Sequence, residues 1–319
     1  MLTYILFVIG FFLLIKGADL LVDGAASISR KLGVSTLIIG LTVVSFGTSA
    51  PELVVNVLAG IHGASDIGIG NVLGSNIANI LLILGVASVI HELKMHKGLL
   101  FREIPFSLLA IAVLFFMAND QTIALRSFNE LDRVDGLVLL SIFSIFIYYL
   151  AHSSSSSIFE PKSEVEEMPT WKSVIYMAIG IIGLGFGGKW IVDGAVLIAE
   201  NLGMSENFIG LTIVAIGTSL PELVTSAVAA YKKQVDLAIG NVVGSNIFNI
   251  FFILGVSSLI SPITFNPEIN NMDLLMVVVA TIIFITTVTS GKKHVVQKWN
   301  GVTYLILYVA YTVFLIWRG

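Results

Sequence analysis

Apolar residues run along this chain in stretches close to the roughly 20 residues that cross about 30 Å of hydrocarbon, separated by short polar or glycine-bearing breaks. The pattern predicts ten membrane spans, at 2–24, 36–60, 67–90, 100–118, 134–151, 172–199, 206–230, 237–260, 271–289 and 301–317. The first stretch has no basic segment before it and no small-residue cleavage site, so it is expected to be a retained helix. Between the fifth and sixth spans, His152 to Thr170 carries five serines, Pro161, Lys162 and the acidic residues Glu164, Glu166 and Glu167. It reads as a solvated tether.

The segments on either side of that tether match each other. Sliding the chain by 170 residues aligns Gly17–Ile90 with Gly187–Ile260 without a gap, and about 39 of 74 positions are identical. The expected organisation is a first repeat over 1–151, a cytoplasmic linker over 152–170 and a second repeat over 171–319. Five spans per repeat is odd, so the second copy must enter the membrane from the opposite face. Loop charges agree. Arg30, Lys31, Lys94, Lys97, Arg102, Lys162, Lys172, Lys232, Lys233, Lys292, Lys293 and Lys298 fall on one side, against Arg126, Arg133 and Arg318 on the other. Arg30 and Lys31 align with Glu200 and Asn201, whereas His62 and Gly63 align with Lys232 and Lys233. The positive-inside rule then puts both termini outside. The fold class expected is an all-α integral membrane protein of ten transmembrane helices, built as two inverted-topology repeats.

Composition narrows the function. The chain is 56% hydrophobic and 12% charged, with mean hydropathy +0.95, which suits a lipid bilayer. A net charge of −4 argues against a nucleic-acid partner. There are no cysteines, so disulfides and thiolate metal sites are excluded.

Against this background two acidic residues stand out. Glu52 lies in GTSAPELVVNV and Glu222 in GTSLPELVTSA, each inside a predicted span. An ionisable group there costs roughly 2.5 to 3.5 kcal/mol or more, which marks a functional site by default. No lysine or arginine lies in these helices away from their ends, so neutralisation has to come from outside. Pro51 and Pro221 lack the amide hydrogen that would bond to Gly47 and Gly217, so each helix should bend or unwind there and free carbonyl oxygens. Spacings of three and four residues put Thr48, Ser49 and Glu52 on one side, and likewise Thr218, Ser219 and Glu222. The next helix of each repeat contains GNVLGSNIANI or GNVVGSNIFNI. There, Ser75 with Asn79 and Ser245 with Asn249 offer neutral oxygens, while Gly70/Gly74 and Gly240/Gly244 form faces for close packing. Asn71, Asn76, Asn241 and Asn246 suit either helix bridging or substrate. Asp66 and Asp236 suit N-caps, Asp23 and Asp193 loop or cap positions, and Lys16 pairing with Asp19.

All of these ligands are oxygens, which suits hard cations such as Ca2+ and Na+, while the five histidines fall in predicted loops. Ca2+ tolerates an irregular cage better than Mg2+ does. Inverted repeats with broken helices point to a secondary transporter. A passive cation channel is disfavoured by having only two carboxylates, and an intramembrane hydrolase by the lack of a nucleophile set.

The paired GTSxPE and GNVxGSNIxN blocks resemble the alpha-repeats of the sodium/calcium exchanger family, within the cation/calcium exchanger superfamily. The resemblance implies a multi-pass antiporter of a prokaryotic plasma membrane that uses Na+ entry to expel Ca2+ by alternating access, with no cofactor and no required protein partner. It also implies ion ligands at Thr48, Ser49, Glu52, Ser75 and Asn79, and at Thr218, Ser219, Glu222, Ser245 and Asn249. Backbone carbonyls near Ser45 and Ala215 complete that set, and the two long first helices are the implied sliding pair. Several relatives carry aspartate where this chain has Asn249, so K+ independence is expected here. With two carboxylates, one Ca2+ or two Na+ neutralise the site and a third Na+ makes exchange electrogenic. H+/Ca2+ exchange is the close alternative, because buried carboxylates can carry protons. The hydroxyl-rich GTS segments favour Na+.

Overall fold

The computed structural model describes residues 2–63, 65–95, 102–123, 128–153, 168–204, 215–290 and 294–318. Nearly all of this is helix. In the first half, α1 (Leu2–Leu32) is followed by α2 (Thr36–Thr48) and α3 (Ala50–Ile61), then by α4, which runs from Ser65–Ala78 through a widened turn at Asn79–Ile83 to Leu84–Ile90. After them come α5 (Glu103–Ala118), the single turn α6 (Asp120–Ile123) and α7 (Arg133–Ser153). The second half has α8 (Thr170–Asn201), the short α9 (Ala215–Thr218), α10 (Leu220–Tyr231), α11 (Val235–Ile260), α12 (Pro267–Ser290) and α13 (Lys298–Arg318).

Among the described residues seven helices, α1, α4, α7, α8, α11, α12 and α13, are long and apolar enough to cross a membrane, and the bent pair α2/α3 makes an eighth. The shorter α5 is also apolar. Of the span expected at 206–230, α9 and α10 are seen, while 205–214 lies outside the described residues.

Helix α1 packs antiparallel along α8 on a glycine seam. A Cβ on Gly17 would lie 2.8 Å from the Gly180 carbonyl oxygen, and one on Gly10 2.9 Å from that of Gly187. Only glycine permits that approach, since a methyl group there would enter the facing backbone. Helix α2 crosses α11 in the same manner at Gly40 and Gly240, whose Cβ positions would lie 2.9 Å from the Leu237 oxygen and 2.6 Å from the Leu37 oxygen. The expected glycine face is therefore in use on α11. The positions that mirror α2 opposite Gly70 and Gly74 include 205–214.

Buried side chains of α4, α5, α7, α11, α12 and α13 form one large core. A smaller one joins α1 and α8 to α2, α10 and the start of α11. Loops of the two halves pair as short antiparallel strands, β1 (Leu93–Lys94) with β4 (Val295–Val296) and β2 (Glu130–Leu131) with β3 (Ile263–Thr264).

Several expectations are corrected. The first helix of each repeat outlasts its apolar run, so Asp23 and Asp193 are helical rather than loop residues. Each is neutralised by a lysine: Asp23 by Lys232 at 2.7 Å, with Asp19 also on Lys232, and Asp193 by Lys189 at 2.8 Å. Lys16 pairs with Asp19 at 3.6 Å, as the spacing predicts. The N-cap of α11 is Gln234, which puts Asp236 in the first turn, where a carboxylate complements the helix dipole. The Asp66 side chain lies outside the described residues, as do His96, Lys97, Arg126, Lys292, Lys293 and linker residues 154–167. His152 belongs to the last turn of α7 rather than to a loop.

Candidate cation site

Both proline-bearing helices break where a bend was expected, between the proline and the glycine four residues before it, at the residue two positions before the proline. Ser49 has φ −83° and ψ 6°, Ser219 φ −86° and ψ 5°, and α2 meets α3 at a 46° bend. Missing amide hydrogens at Pro51 and Pro221 remove the helical bond that would have bridged each bend. The helix restarts immediately, which leaves Glu52 and Glu222 in the first turns of α3 and α10. Their negative charge there faces the positive end of a helix dipole.

The hydroxyls of each half serve the carboxylate of the other. Ser49 Oγ donates to Glu222 Oε1 at 2.8 Å and lies 3.0 Å from Ser245 Oγ. Ser219 Oγ donates to Glu52 Oε1 at 3.4 Å and lies 3.2 Å from Ser75 Oγ. Thr48 Oγ1 donates to Asn241 Oδ1 at 3.0 Å, and Thr218 Oγ1 to Asn71 Oδ1 at 3.2 Å. Asn79 Nδ2 donates to Asn246 Oδ1 at 2.9 Å, and Asn249 Nδ2 to Asn76 Oδ1 at 3.0 Å. Every bond crosses between the halves, and every one has a mate displaced by 170 residues at both ends.

These bonds orient what they leave over. Glu52 Oε2, Glu222 Oε2, Asn79 Oδ1 and Asn249 Oδ1 are buried and have no hydrogen-bond partner. Both glutamates are 1% exposed, and among the described residues none of the ion pairs involves either. Two carboxylate and two amide oxygens without donors form a set that a hard cation satisfies and a hydrogen-bond donor set would not. Among the described residues no group of three or more histidine, aspartate or glutamate side chains could hold a metal, so the formal charge of the site is that of two carboxylates.

Local backbone sets the aim of the asparagines. At Asn79–Ile83 and Phe248–Ile253 the helix widens to π geometry, and the carbonyls of Asn79 and Asn249 accept from Leu84 and Leu254, five residues on. Such widened turns recur at functional sites because they rotate one side chain off its helical register. Asn76, Asn241 and Asn246 act as bridges between helices. Asn241 Nδ2 donates to Ser226 Oγ at 3.0 Å, and Asn76 Nδ2 to the Asn246 carbonyl at 3.4 Å. The carbonyl of Ser45, expected as a ligand, accepts the Ser49 amide at 2.9 Å and lies 3.3 Å from Thr48 Oγ1. Ala215 opens α9, and its side chain lies outside the described residues. The role of Ser226, and the choice of partner by each serine, had no sequence signal.

The family model described as "Sodium/calcium exchanger protein" matches residues 2–151 and 172–317. The chain is 32% identical to the sodium/calcium exchanger MaX1 of Methanosarcina acetivorans, over 98% of each chain. It is 25% identical to the Ca(2+)/H(+) antiporter ChaA of Bacillus subtilis, over 90% of this chain and 85% of that one. Among solved structures it is similar to the sodium-calcium exchanger NCX_Mj soaked with 10 mM Na+ and no Ca2+, with a TM-score of 0.82, 33% identity and 97% coverage of both chains.

Proposed function

Because this chain belongs to the sodium/calcium exchanger family, a family of membrane exchangers rather than enzymes, we propose that it is an antiporter that exchanges Na+ for Ca2+ at one central site by alternating access. The observation that carries this reading is the set of four buried, donor-less oxygens on Glu52, Glu222, Asn79 and Asn249. Thr48, Ser49, Ser75, Thr218, Ser219 and Ser245 surround them and complete an all-oxygen cage, with the Ser45 and Ala215 carbonyls at its edges. The single Thr48 proton goes to Asn241, the shorter contact, so the Ser45 carbonyl keeps one of its two lone pairs for a cation beside the Ser49 amide.

Two carboxylates balance one Ca2+ or two Na+, which makes occupation by the two ions mutually exclusive and couples their movements. A third Na+ carries one net charge per cycle, worth roughly 2.3 kcal/mol per 100 mV. Asn249 adds no charge, so K+ is not required.

The ten-span inverted repeat, with boundaries at 151 and 171, is supported by the site's bonds, each paired with another by the 170-residue offset. Loop charge orients it with both termini outside a prokaryotic plasma membrane. Single cysteines introduced at Lys31 and Lys233 would label from inside only, against a background free of native cysteine.

ChaA carries the name of a proton-coupled exchanger. Protons need no cage of neutral oxygens, and the six hydroxyls here favour Na+. In sealed vesicles containing the purified protein, Ca2+ uptake is expected to follow an imposed Na+ gradient at constant pH. Equal uptake driven by a pH gradient with no Na+ present would assign the coupling to protons.

A further inference from the structure

Behind Asn246 lies a cavity of about 10 Å³, at the junction of α5, α4, α11 and α12. Its polar lining is Ser107, Thr281 and Asn246; the rest is apolar. The Ser107 hydroxyl is buried without a hydrogen-bond partner. Thr281 spends its proton on the Val277 carbonyl at 2.8 Å, so its oxygen is left as an acceptor. Asn246 uses its two oxygens for Asn79 and Asn76, which leaves its amide hydrogens for a third group.

The 170-residue offset gives a comparison within the same molecule. At a 170-residue offset from Ser107, Thr281 and Phe284 the chain carries Val277, Ile111 and Leu114, all buried in the main core. Hydrocarbon residues thus stand at the positions numbered 170 away from the two hydroxyls that line this water-sized space. The lining carries no charge, so a water fits it better than a cation does. A buried water needs two to four polar partners, and three are present.

We propose that this pocket is an ordered-water site, and that Ser107 is a positioning residue for cation binding. The water joins Ser107 and Thr281 to the amide of Asn246. It thereby fixes the oxygen of Asn246 that holds Asn79, and with it the aim of Asn79 Oδ1. Glu103, one turn earlier on α5, has a second buried and unpartnered oxygen, so polar groups continue from the pocket toward the end of that helix. The role in cation binding rests on the function proposed above, whereas the water site itself does not.

The test uses the full chain with Ser107→Val and Thr281→Ile combined, which installs the residues found at the 170-residue offset and removes both hydroxyls. The Ca2+ concentration for half-maximal binding is expected to rise about tenfold, as when a group supporting a metal ligand is lost. Ser107→Thr, which keeps the hydroxyl, should restore it, while thermal unfolding without Ca2+ stays unchanged. A crystal structure at about 2 Å should show water bonded to Ser107 Oγ in the parent and none in the double variant. Unchanged Ca2+ binding in the double variant would overturn the positioning role, and a dry pocket in the parent would overturn the water site. If the double variant does not fold, Ser107→Ala removes one partner without adding volume and should weaken Ca2+ binding in the same direction; no change there refutes the proposal equally. Failure of the parent to bind Ca2+ would instead count against the exchanger reading.

Discussion

Ser49 and Glu222 lie 173 residues apart in sequence, yet the serine hydroxyl donates to the carboxylate at 2.8 Å. Hydrogen bonds to charged groups contribute about 1.5 to 3 kcal/mol. Ser49→Ala is therefore expected to weaken Ca2+ binding by roughly 10- to 100-fold, and Ser219→Ala, whose bond to Glu52 is longer at 3.4 Å, by less. Calorimetric titration of both variants with Ca2+ checks the order. Equal losses would mean that the two serines act as ligands of equal weight rather than through these bonds.

Glu52→Gln and Glu222→Gln keep shape and remove charge. Each should reduce Na+-driven Ca2+ uptake by at least about 100-fold, the scale of roughly 3 kcal/mol for losing one partner of a buried charge interaction. Without ions both variants should unfold at or above the parent temperature, because an uncompensated buried charge has been removed. Uptake near the parental rate in either variant would rule out its carboxylate as an ion ligand.

The seam between α1 and α8 gives a prediction about packing. Gly17→Val places side-chain atoms where a Cβ alone would lie 2.8 Å from the Gly180 carbonyl, so it should cost about 1 to 3 kcal/mol. Gly185→Ala meets no heavy atom of another segment within 4 Å and should be neutral or slightly stabilising. Thermal unfolding in detergent measures both.

Asp273 is buried at the start of α12 and held by both nitrogens of Arg318 at 3.0 Å and by the Tyr311 hydroxyl at 3.1 Å. Arg318→Ala leaves that carboxylate without its cation and should destabilise by about 2 to 3 kcal/mol, somewhat less than a fully buried pair because the arginine is partly exposed. Adding Asp273→Asn should recover most of the loss. A double variant no more stable than the single one would show that the arginine acts through packing instead.

Much of the candidate site was legible in sequence because its chemistry is costly in lipid. A glutamate and a proline inside an apolar run, found twice at one offset, announce a broken helix and a charge to be neutralised. Partner choice was not legible. Spacing puts Ser49 and Glu52 on one helical face, but the backbone departs from helix at Ser49 itself, so its hydroxyl meets the carboxylate of the opposite repeat. The widened turn at Asn79–Ile83 has no local sequence cause, since Asn79 and its neighbours fit an ordinary helix equally well. Asp23 reads as a loop residue only until tertiary structure brings Lys232 beside it.

The strand pairs β1/β4 and β2/β3 are only two residues long, yet each ties a loop of one half to a loop of the other, and α5 runs from the neighbourhood of one tie to that of the other. The halves are thus tied to each other at two places outside the helices. Among the described residues no strand tie reaches α1 or α8. Under the exchanger reading proposed above, that glycine-seamed pair is the element left free to travel over the tied frame.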